Sequence, residues 1–157
     1  MSDDDARTPE KWPLDTVLDF LRLLWTVEHA LQRQSKRMEA RLGVTGPQRL
    51  VLRVVERFPD ISPGELAEVV YLHPSTLTGV LRRLVDRRLL VRVGDPGDKR
   101  RSRLRVVEQS KLLTKKSAGT VEAAVTRVLS RVSERKIQHT RDVLAALAQE
   151  LDEGIDG

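Results

Sequence analysis

The fold is decided by residues 62–88, which have the sequence SPGELAEVVYLHPSTLTGVLRRLVDRR. Ser62, Pro63 and Glu65 form a helix start: a capping side chain, a first-turn proline and the reach-back partner of a capping box. A second helix start at Pro74 follows so closely that the first helix is short and the connection tight. Two short helices joined in this way, the second opening with hydroxyl side chains, indicate a helix-turn-helix, although short helical hairpins are also frequent elsewhere.

The next segment predicts a β-hairpin. Residues 89–93 and 103–107 are strand-like runs, and the residues between them are rich in glycine, aspartate and proline. A hairpin directly after a helix-turn-helix is a wing, whose tip would carry Arg100 into a DNA minor groove with Asp98 holding its guanidinium. The competing interpretation is a purely structural Asp98–Arg100 pair on a solvated loop.

Positive charge is concentrated in the same region. The chain has a formal net charge of +5, from 28 Lys+Arg and 23 Asp+Glu. Residues 82–105 contain ten basic and three acidic residues, a local charge of 10 − 3 = +7, which leaves 5 − 7 = −2 for the remainder. A basic segment on a mildly acidic body is typical of a polyanion-binding protein, although a solvated arginine-rich surface is the simpler alternative.

Long helices are predicted on both sides of this module. Apolar residues at helical spacing predict one helix up to the stop at Gly43, and Thr45-Gly46-Pro47-Gln48 starts the next. The latter helix is expected to turn five apolar residues inward: Leu50, Val51, Val54, Val55 and Phe58. Further helices are predicted over residues 110–132 and from Ser133-Glu134 onward, and their apolar faces exceed what the central module can cover. A homodimer would bury them.

These patterns predict a mainly α fold with a small β-hairpin wing. We divide the chain into a disordered acidic tail (1–13), an N-terminal dimerisation helix (14–42), a winged helix-turn-helix DNA-binding domain (43–108), C-terminal dimerisation helices (109–152) and a tail (153–157).

The composition excludes several classes of protein. With 157 residues and no cysteine, the chain cannot form disulfides, thiolate nucleophiles or cysteine-based zinc sites. No apolar run approaches the about 20 residues that span a bilayer, and the first ten residues do not form a secretory signal. We expect a soluble cytoplasmic protein without membrane contact.

The nucleophile-elbow, phosphate-loop and zinc-protease motifs are absent from the sequence, so we expect no enzyme activity and no cofactor.

Five segments together resemble the MarR family of winged helix-turn-helix transcriptional regulators. They are Leu42-Gly43-Val44-Thr45-Gly46-Pro47-Gln48, Ser62-Pro63-Gly64-Glu65-Leu66-Ala67, His73-Pro74-Ser75-Thr76-Leu77-Thr78, the stretch from Leu81 to Leu90, and Asp95-Pro96-Gly97-Asp98-Lys99-Arg100. The chain differs from the usual family pattern at Gly79, where a larger polar or basic residue is common, and at the junction 107–111.

The resemblance implies a homodimer that binds double-stranded DNA, most simply as a repressor on a pseudo-palindromic operator. Two recognition helices would then enter major grooves about one helical turn apart, with wings in the flanking minor grooves. The implied DNA-binding residues are Thr45, Gln48, Ser62, His73, Ser75, Thr76, Thr78, Arg82, Arg83, Asp98, Lys99, Arg100 and Arg101.

The resemblance also implies release of DNA by a small, often anionic aromatic ligand. Candidate pocket residues are Trp12, Phe20, Trp25 and Tyr71, although core packing is the simpler explanation for Phe20, Trp25 and Phe58. Without cysteine, the family's thiol-based peroxide-sensing mechanism is excluded for this chain.

Two alternatives remain open at the level of sequence. The first is a metal-responsive regulator of the same fold, with His29 and His139 meeting across the dimerisation helices, although no ligand-spaced cluster supports it. The second is a protein- or RNA-binding adaptor. The basic segment contains no aromatic side chain on which RNA bases would stack, which favours duplex DNA.

Overall fold

The computed structural model describes residues 12–98 and 101–153. Within these ranges it contains six α-helices, one 3-10 helix and one two-stranded antiparallel sheet. The elements are α1 (Thr16–Leu42), α2 (Gly46–Arg57), α3 (Pro63–Val70), α4 (Pro74–Asp86), β1 (Leu90–Gly94), β2 (Ser102–Val106), the 3-10 helix (Glu108–Leu113), α5 (Val121–Leu129) and α6 (Glu134–Glu153). The mainly α architecture with a β-hairpin wing is confirmed.

Local signals place the helix ends. Asp15 caps α1 by accepting a hydrogen bond from the Leu18 amide at 2.9 Å, and Gly43 ends the helix with a φ of 74°, a conformation that glycine adopts without strain. α2 and α3 each begin with a complete capping box followed by proline. These contacts span only three residues, which is why the sequence predicts these starts closely.

β1 and β2 pair with Leu90 opposite Val106 and Gly94 opposite Ser102. Both strands begin one residue away from the predicted positions, because the hairpin register is set by pairing rather than by the apolar run alone. The backbone of residues 60 and 61 also joins β2: the Asp60 amide donates to the Leu104 carbonyl at 3.0 Å, and the Leu104 amide donates to Ile61 at 3.0 Å. The wing is thereby attached to the start of α3.

The chain divides into two compact units, which meet in sequence at Thr120 and Val121. The core of the first unit is aliphatic throughout. Its members come from the segment between α1 and β2: Val44, Val51, Leu52, Val55, Ile61, Leu66, Leu77, Val80, Leu81, Leu84, Leu90 and Leu104. In the second unit, α5 and α6 contain no buried residue. No helix in the described part of the chain is long and apolar enough to cross a membrane.

The prediction of a continuous helix over 110–132 is wrong. The chain instead forms the 3-10 helix, then an irregular segment, and begins α5 only at Val121. Gly119 has a φ of 75°, which is outside the right-handed helical region, and the carbonyls of Leu113 and Lys115 accept hydrogen bonds from Arg49 rather than from helical amides. Apolar spacing alone cannot reveal either interruption.

The expected inward positions of Leu50 and Phe58 are also wrong. Leu50 is 46% exposed and Phe58 is 49% exposed, whereas the neighbouring Leu52 is fully buried. Val51 and Val55 are buried as predicted, and Val54 is half-buried. α2 therefore presents a face centred on positions 48, 51, 52 and 55, and the predicted face was rotated around the helix axis.

Candidate nucleic-acid interface

The helix-turn-helix is held by caps at both of its helix starts. Before α3, the Glu65 amide donates to Ser62 Oγ at 3.2 Å, and the Ser62 amide donates to Glu65 Oε2 at 2.8 Å. Hydrogen bonds from the Ser62 backbone amide and from the Ser62 side chain to the Glu65 carboxylate lower the pKa of that carboxyl. Tyr71 ends α3 in the left-handed conformation, with a φ of 49°, and redirects the chain toward α4. The predicted capping box and the tight turn are confirmed.

The first turn of α4 carries polar side chains toward solvent. His73 caps the helix, with Nδ1 2.7 Å from Ser75 Oγ and 3.3 Å from the Ser75 amide nitrogen. Thr78 Oγ1 donates to the Pro74 carbonyl at 2.8 Å. Ser75, Thr76 and Thr78 are all exposed. Such a helix start offers hydroxyl groups and backbone amides to an approaching polyanion.

Arg82 and Arg83 continue this exposed face one turn further along α4. Opposite them on the same helix, Leu77, Val80, Leu81 and Leu84 are buried in the core. Neither arginine forms an ion pair with any residue in the described ranges. The two positive charges therefore project from a helix whose orientation is set by its apolar side.

The arginines of β2 are different, because carboxylates neutralise them. Arg103 donates from Nε and Nη2 to Asp95 Oδ2, at 3.0 and 2.8 Å, and Arg105 donates from Nε and Nη2 to Asp60, at 2.5 and 3.1 Å. Further out, Arg101 Nε lies 3.6 Å from Asp98 Oδ2. The hydrogen bond from Arg105 lowers the pKa of Asp60 and raises the pKa of Arg105 itself.

Lys99 and Arg100 lie outside the described residues, so the predicted Asp98–Arg100 contact has no structural description. The loop around them is built from backbone contacts: the Asp95 amide donates to the Arg101 carbonyl at 2.9 Å, and the Arg101 amide donates to Asp98 at 2.9 Å. Asp95 Oδ1 also accepts from the Gly97 amide at 2.8 Å. This last bond and the Arg103 pair lower the pKa of Asp95.

The start of α2 uses its polar side chains internally. The Gln48 amide donates to Thr45 Oγ1 at 3.4 Å, and Gln48 Oε1 accepts from the Thr45 amide at 3.0 Å. Thr45 is half-buried, whereas Gln48 is 5% exposed. The burial of Gln48 removes its side chain from the predicted contact set, which is a correction: the capping box uses Gln48 to start α2, not to reach a ligand.

Residues 42–101 match the model of the MarR family, a stretch that runs from the last residue of α1 through the helix-turn-helix and into the wing. Over these residues the chain is similar to the MarR family. An HTH-type transcriptional repressor of Mycobacterium tuberculosis is 27% identical over 128 residues, which is 82% of this chain and 92% of the relative.

Two solved structures have a similar fold. The S. aureus MepR–DNA complex superposes with a TM-score of 0.68 at 16% identity, over 84% of this chain and 97% of the other. The PcaV transcriptional regulator of Streptomyces coelicolor, in complex with its natural ligand, has a TM-score of 0.69 at 24% identity, over 88% and 97% of the two chains.

The aromatic residues named for a MarR-type ligand pocket are all at the surface. Trp12 is 68% exposed, Trp25 is 63% exposed, Tyr71 is 68% exposed and Phe20 is 40% exposed. The core-packing explanation for Phe20, Trp25 and Phe58 is therefore wrong, because the buried core consists of aliphatic side chains and contains none of these three. Tyr71 lies in the turn of the helix-turn-helix, and Trp25 lies on α1.

A groove of about 650 Å³ runs along α1, and Trp25 is its aromatic member. The rest of its lining is apolar at one end and basic at the other, formed by Leu14, Leu18, Leu21, Arg22, Thr26, His29 and Arg33. Arg22 pairs with Asp19 at 2.9 Å. Trp25 is one of the candidate pocket residues, and the i, i+4 and i+8 spacing of Trp25, His29 and Arg33 places all three on the same face of the helix.

The two histidines of the metal hypothesis belong to different compact units, His29 to the first and His139 to the second. In the described ranges no group of three histidine, aspartate or glutamate side chains is arranged to hold a metal ion. His73, the third histidine, is the cap of α4.

Proposed function

We propose that this chain is a sequence-specific repressor that acts as a homodimer on double-stranded DNA with a pseudo-palindromic operator, in the cytoplasm. The exposed face of α4 is the observation that carries the proposal. It combines three small hydroxyl side chains with Arg82 and Arg83, which have no carboxylate partner in the described residues. The repressor function of the M. tuberculosis relative and the DNA in the MepR complex support this interpretation.

The residues divide into three kinds of contact. Ser75, Thr76, Thr78, Arg82 and Arg83 are proposed to enter the major groove, where hydroxyls and guanidinium groups read base edges. His73, Ser62 and Thr45 lie at helix starts and are proposed to contact the sugar–phosphate backbone. At the wing tip, Lys99, Arg100 and Arg101 are proposed to approach the minor groove and its phosphates, with Asp98 orienting Arg100.

A gel-shift titration with the DNA upstream of the coding gene tests specificity against a random duplex of equal length. At about 0.15 M salt we expect specific binding at least about 10³-fold tighter than binding to the random duplex. Arg82→Ala and Arg83→Ala should each weaken specific binding by about 1–3 kcal/mol if the guanidinium reads a base. Arg37→Ala is the control, because it removes an exposed arginine from α1. Equal affinity for both duplexes would refute the proposal.

Homodimerisation is proposed from the exposed apolar side chains of the long helices. On α1, Val17 is 68% exposed and Val27 is 56% exposed; on α6, Val143 is 52% exposed and Leu151 is 61% exposed. A second copy of the chain would remove this surface from water. Light scattering should give a dimer mass for the full chain and a monomer mass after deletion from Glu134 onward. A dimer that persists after this truncation would contradict the assignment to α6.

A small anionic aromatic molecule is the proposed effector, and the α1 groove is its proposed site. Trp25 offers an aromatic surface, and Arg33 has no ion-pair partner among the described residues. Thermal-shift assays with benzoate, salicylate and neutral benzamide separate the contributions of charge and ring. We expect the carboxylates to raise the Tm and to weaken DNA binding, and Trp25→Ala to remove both effects. Equal shifts in the Trp25→Ala variant would place the ligand elsewhere.

A further inference from the structure

Residues 108–120, which we call the connector, follow the wing and end where the second compact unit begins. The connector is fastened through its backbone carbonyls. Side chains from α1 and α2, distant in sequence by 64 to 85 residues, donate hydrogen bonds to four of these carbonyls.

The most deeply buried fastening is Arg49 on α2, whose residue surface is only 1% exposed. Its Nη1 donates to the Leu113 carbonyl, and its Nη2 donates to the Lys115 carbonyl at 2.7 Å. A buried guanidinium is tolerated only when its donors are satisfied, and these carbonyls accept two of its hydrogen bonds. Moving the connector away from α2 would remove both hydrogen bonds from a buried cation.

A second fastening lies nearer the end of the connector, on α1. Gln34 Nε2 donates to the Gly119 carbonyl at 2.6 Å, and Arg41 Nη2 donates to the Ala118 carbonyl. Gly119 has a φ of 75°, which favours glycine. A Cβ at this position would lie 2.8 Å from Arg41 Nη1, so the Arg41 guanidinium would have to shift to accommodate it.

The connector also holds its own shape between these two points. Thr114 Oγ1 donates to the Lys111 carbonyl at 2.8 Å, and Thr120 Oγ1 donates to the Ser117 carbonyl at 2.9 Å. Both threonines are buried, at 4% and 1% exposure. The path from the wing to the last residue of the first unit is therefore set by side-chain contacts along its length.

We propose that Gln34, Arg41 and Arg49 are positioning residues that lock the connector onto α1 and α2, and that this lock sets the half-site spacing that the repressor accepts. The second part rests on the proposed function. A dimer that reads two half-sites about 10 bp apart must hold its recognition helices at a defined separation. The chain leaves the first unit at Thr120. A loose connector would therefore let the first unit of one copy change its position relative to the first unit of the partner copy.

The lock itself is tested without DNA, by limited trypsin digestion of the full-length protein. Lys115 and Lys116 are exposed cleavage sites inside the connector. Because a protease needs local unfolding to cleave, cleavage there should be slow in the natural protein and several-fold faster in the Gln34→Ala/Arg41→Ala double variant. Arg37→Ala, another exposed arginine on α1, should cleave at the natural rate. Unchanged cleavage in the double variant, by mass spectrometry of the products, overturns the part of the lock that Gln34 and Arg41 form.

The consequence is tested with duplexes in which the half-site spacing is varied by one and two base pairs on either side of the natural operator. The natural protein should prefer one spacing by about tenfold or more, whereas the double variant should bind a single half-site normally but discriminate spacings less than about threefold. A merely stabilising role would lower binding to all duplexes alike. Unchanged discrimination together with faster cleavage overturns the spacing role. If the natural protein shows no operator preference, the proposed function fails, and the digestion result still decides whether the lock exists.

Discussion

Arg103 and Asp95 form a two-point ion pair across the wing hairpin, with Arg103 Nε and Nη2 at 3.0 and 2.8 Å from Asp95 Oδ2. The other carboxylate oxygen of Asp95 accepts from the Gly97 amide at 2.8 Å. One aspartate therefore ties the first turn of the wing loop to β2. A planar guanidinium and a carboxylate are well suited to this role, since both hydrogen bonds have a fixed geometry.

Asp95→Ala should loosen the wing. The variant loses the Arg103 pair and the Gly97 hydrogen bond together, so the amides of residues 94–98 should exchange hydrogen several-fold faster by mass spectrometry. Glu68→Ala removes an exposed carboxylate from α3 that forms no ion pair in the described residues, and serves as the control. Identical exchange in Asp95→Ala and the natural protein would show that the pair does not order the loop.

Acid should destabilise the domain in a defined pH window. The pKa values of Asp60, Glu65 and Asp95 are all lowered in the folded state by hydrogen bonds, from ordinary values of 3.8 for the aspartates and 4.5 for the glutamate. A lowered folded pKa contributes stability above the unfolded pKa, and this contribution is lost as the pH falls through the folded pKa. We expect the Tm to decline below about pH 4.5, and less steeply in Asp95→Ala. A Tm that stays constant down to pH 3 would contradict this assignment.

Two leucines on α2, Leu50 and Leu52, should respond very differently to truncation. Leu52 is fully buried in the core, and Leu50 is 46% exposed. Leu52→Ala should reduce the free energy of unfolding by about 2–5 kcal/mol, because it leaves a cavity. Leu50→Ala, measured in the same urea titration, should cost less than about 1 kcal/mol. Equal losses would contradict the difference in burial between the two leucines.

Gly79→Ala should stabilise the protein. Gly79 lies inside α4, and a Cβ at this position would meet no atom within 4 Å. Alanine loses less backbone entropy than glycine in a helix, so we expect about 0.5–1 kcal/mol more stability in urea denaturation. Gly43→Ala is the opposite control, since Gly43 has a φ of 74° and should lose stability on substitution. A destabilising Gly79→Ala would show that α4 is strained at this position.

The helix starts could be predicted because their determinants are local. The boxes Thr45/Gln48 and Ser62/Glu65 each join residues three apart, and the stop at Gly43 depends on one residue's backbone freedom. The buried face of α4 also follows from its apolar spacing. Contacts between residues so close in the sequence depend only on a short run of consecutive residues, so a single sequence reveals them.

The connector and the face of α2 could not be predicted in the same way. Arg49 donates a hydrogen bond to the carbonyl of Leu113, 64 residues away, where the 3-10 helix ends. Leu50 and Leu52 are identical side chains two positions apart, and only packing against the other helices decides which one is buried. Apolar periodicity describes each segment alone, whereas these outcomes depend on the partner segment.

The charges of residues 82–105 show most clearly what the sequence determines and what only the tertiary structure decides. The sequence alone determines that residues 82–105 carry a local charge of +7, and that Arg82 and Arg83 are placed on the polar side of a helix. Only the tertiary structure decides which charges remain available to a polyanion. Asp95 and Asp60 neutralise the two inner arginines of β2, and Asp60 lies more than forty residues before its partner. Electrostatic pairing acts through distance in space, which the chain acquires only when it folds.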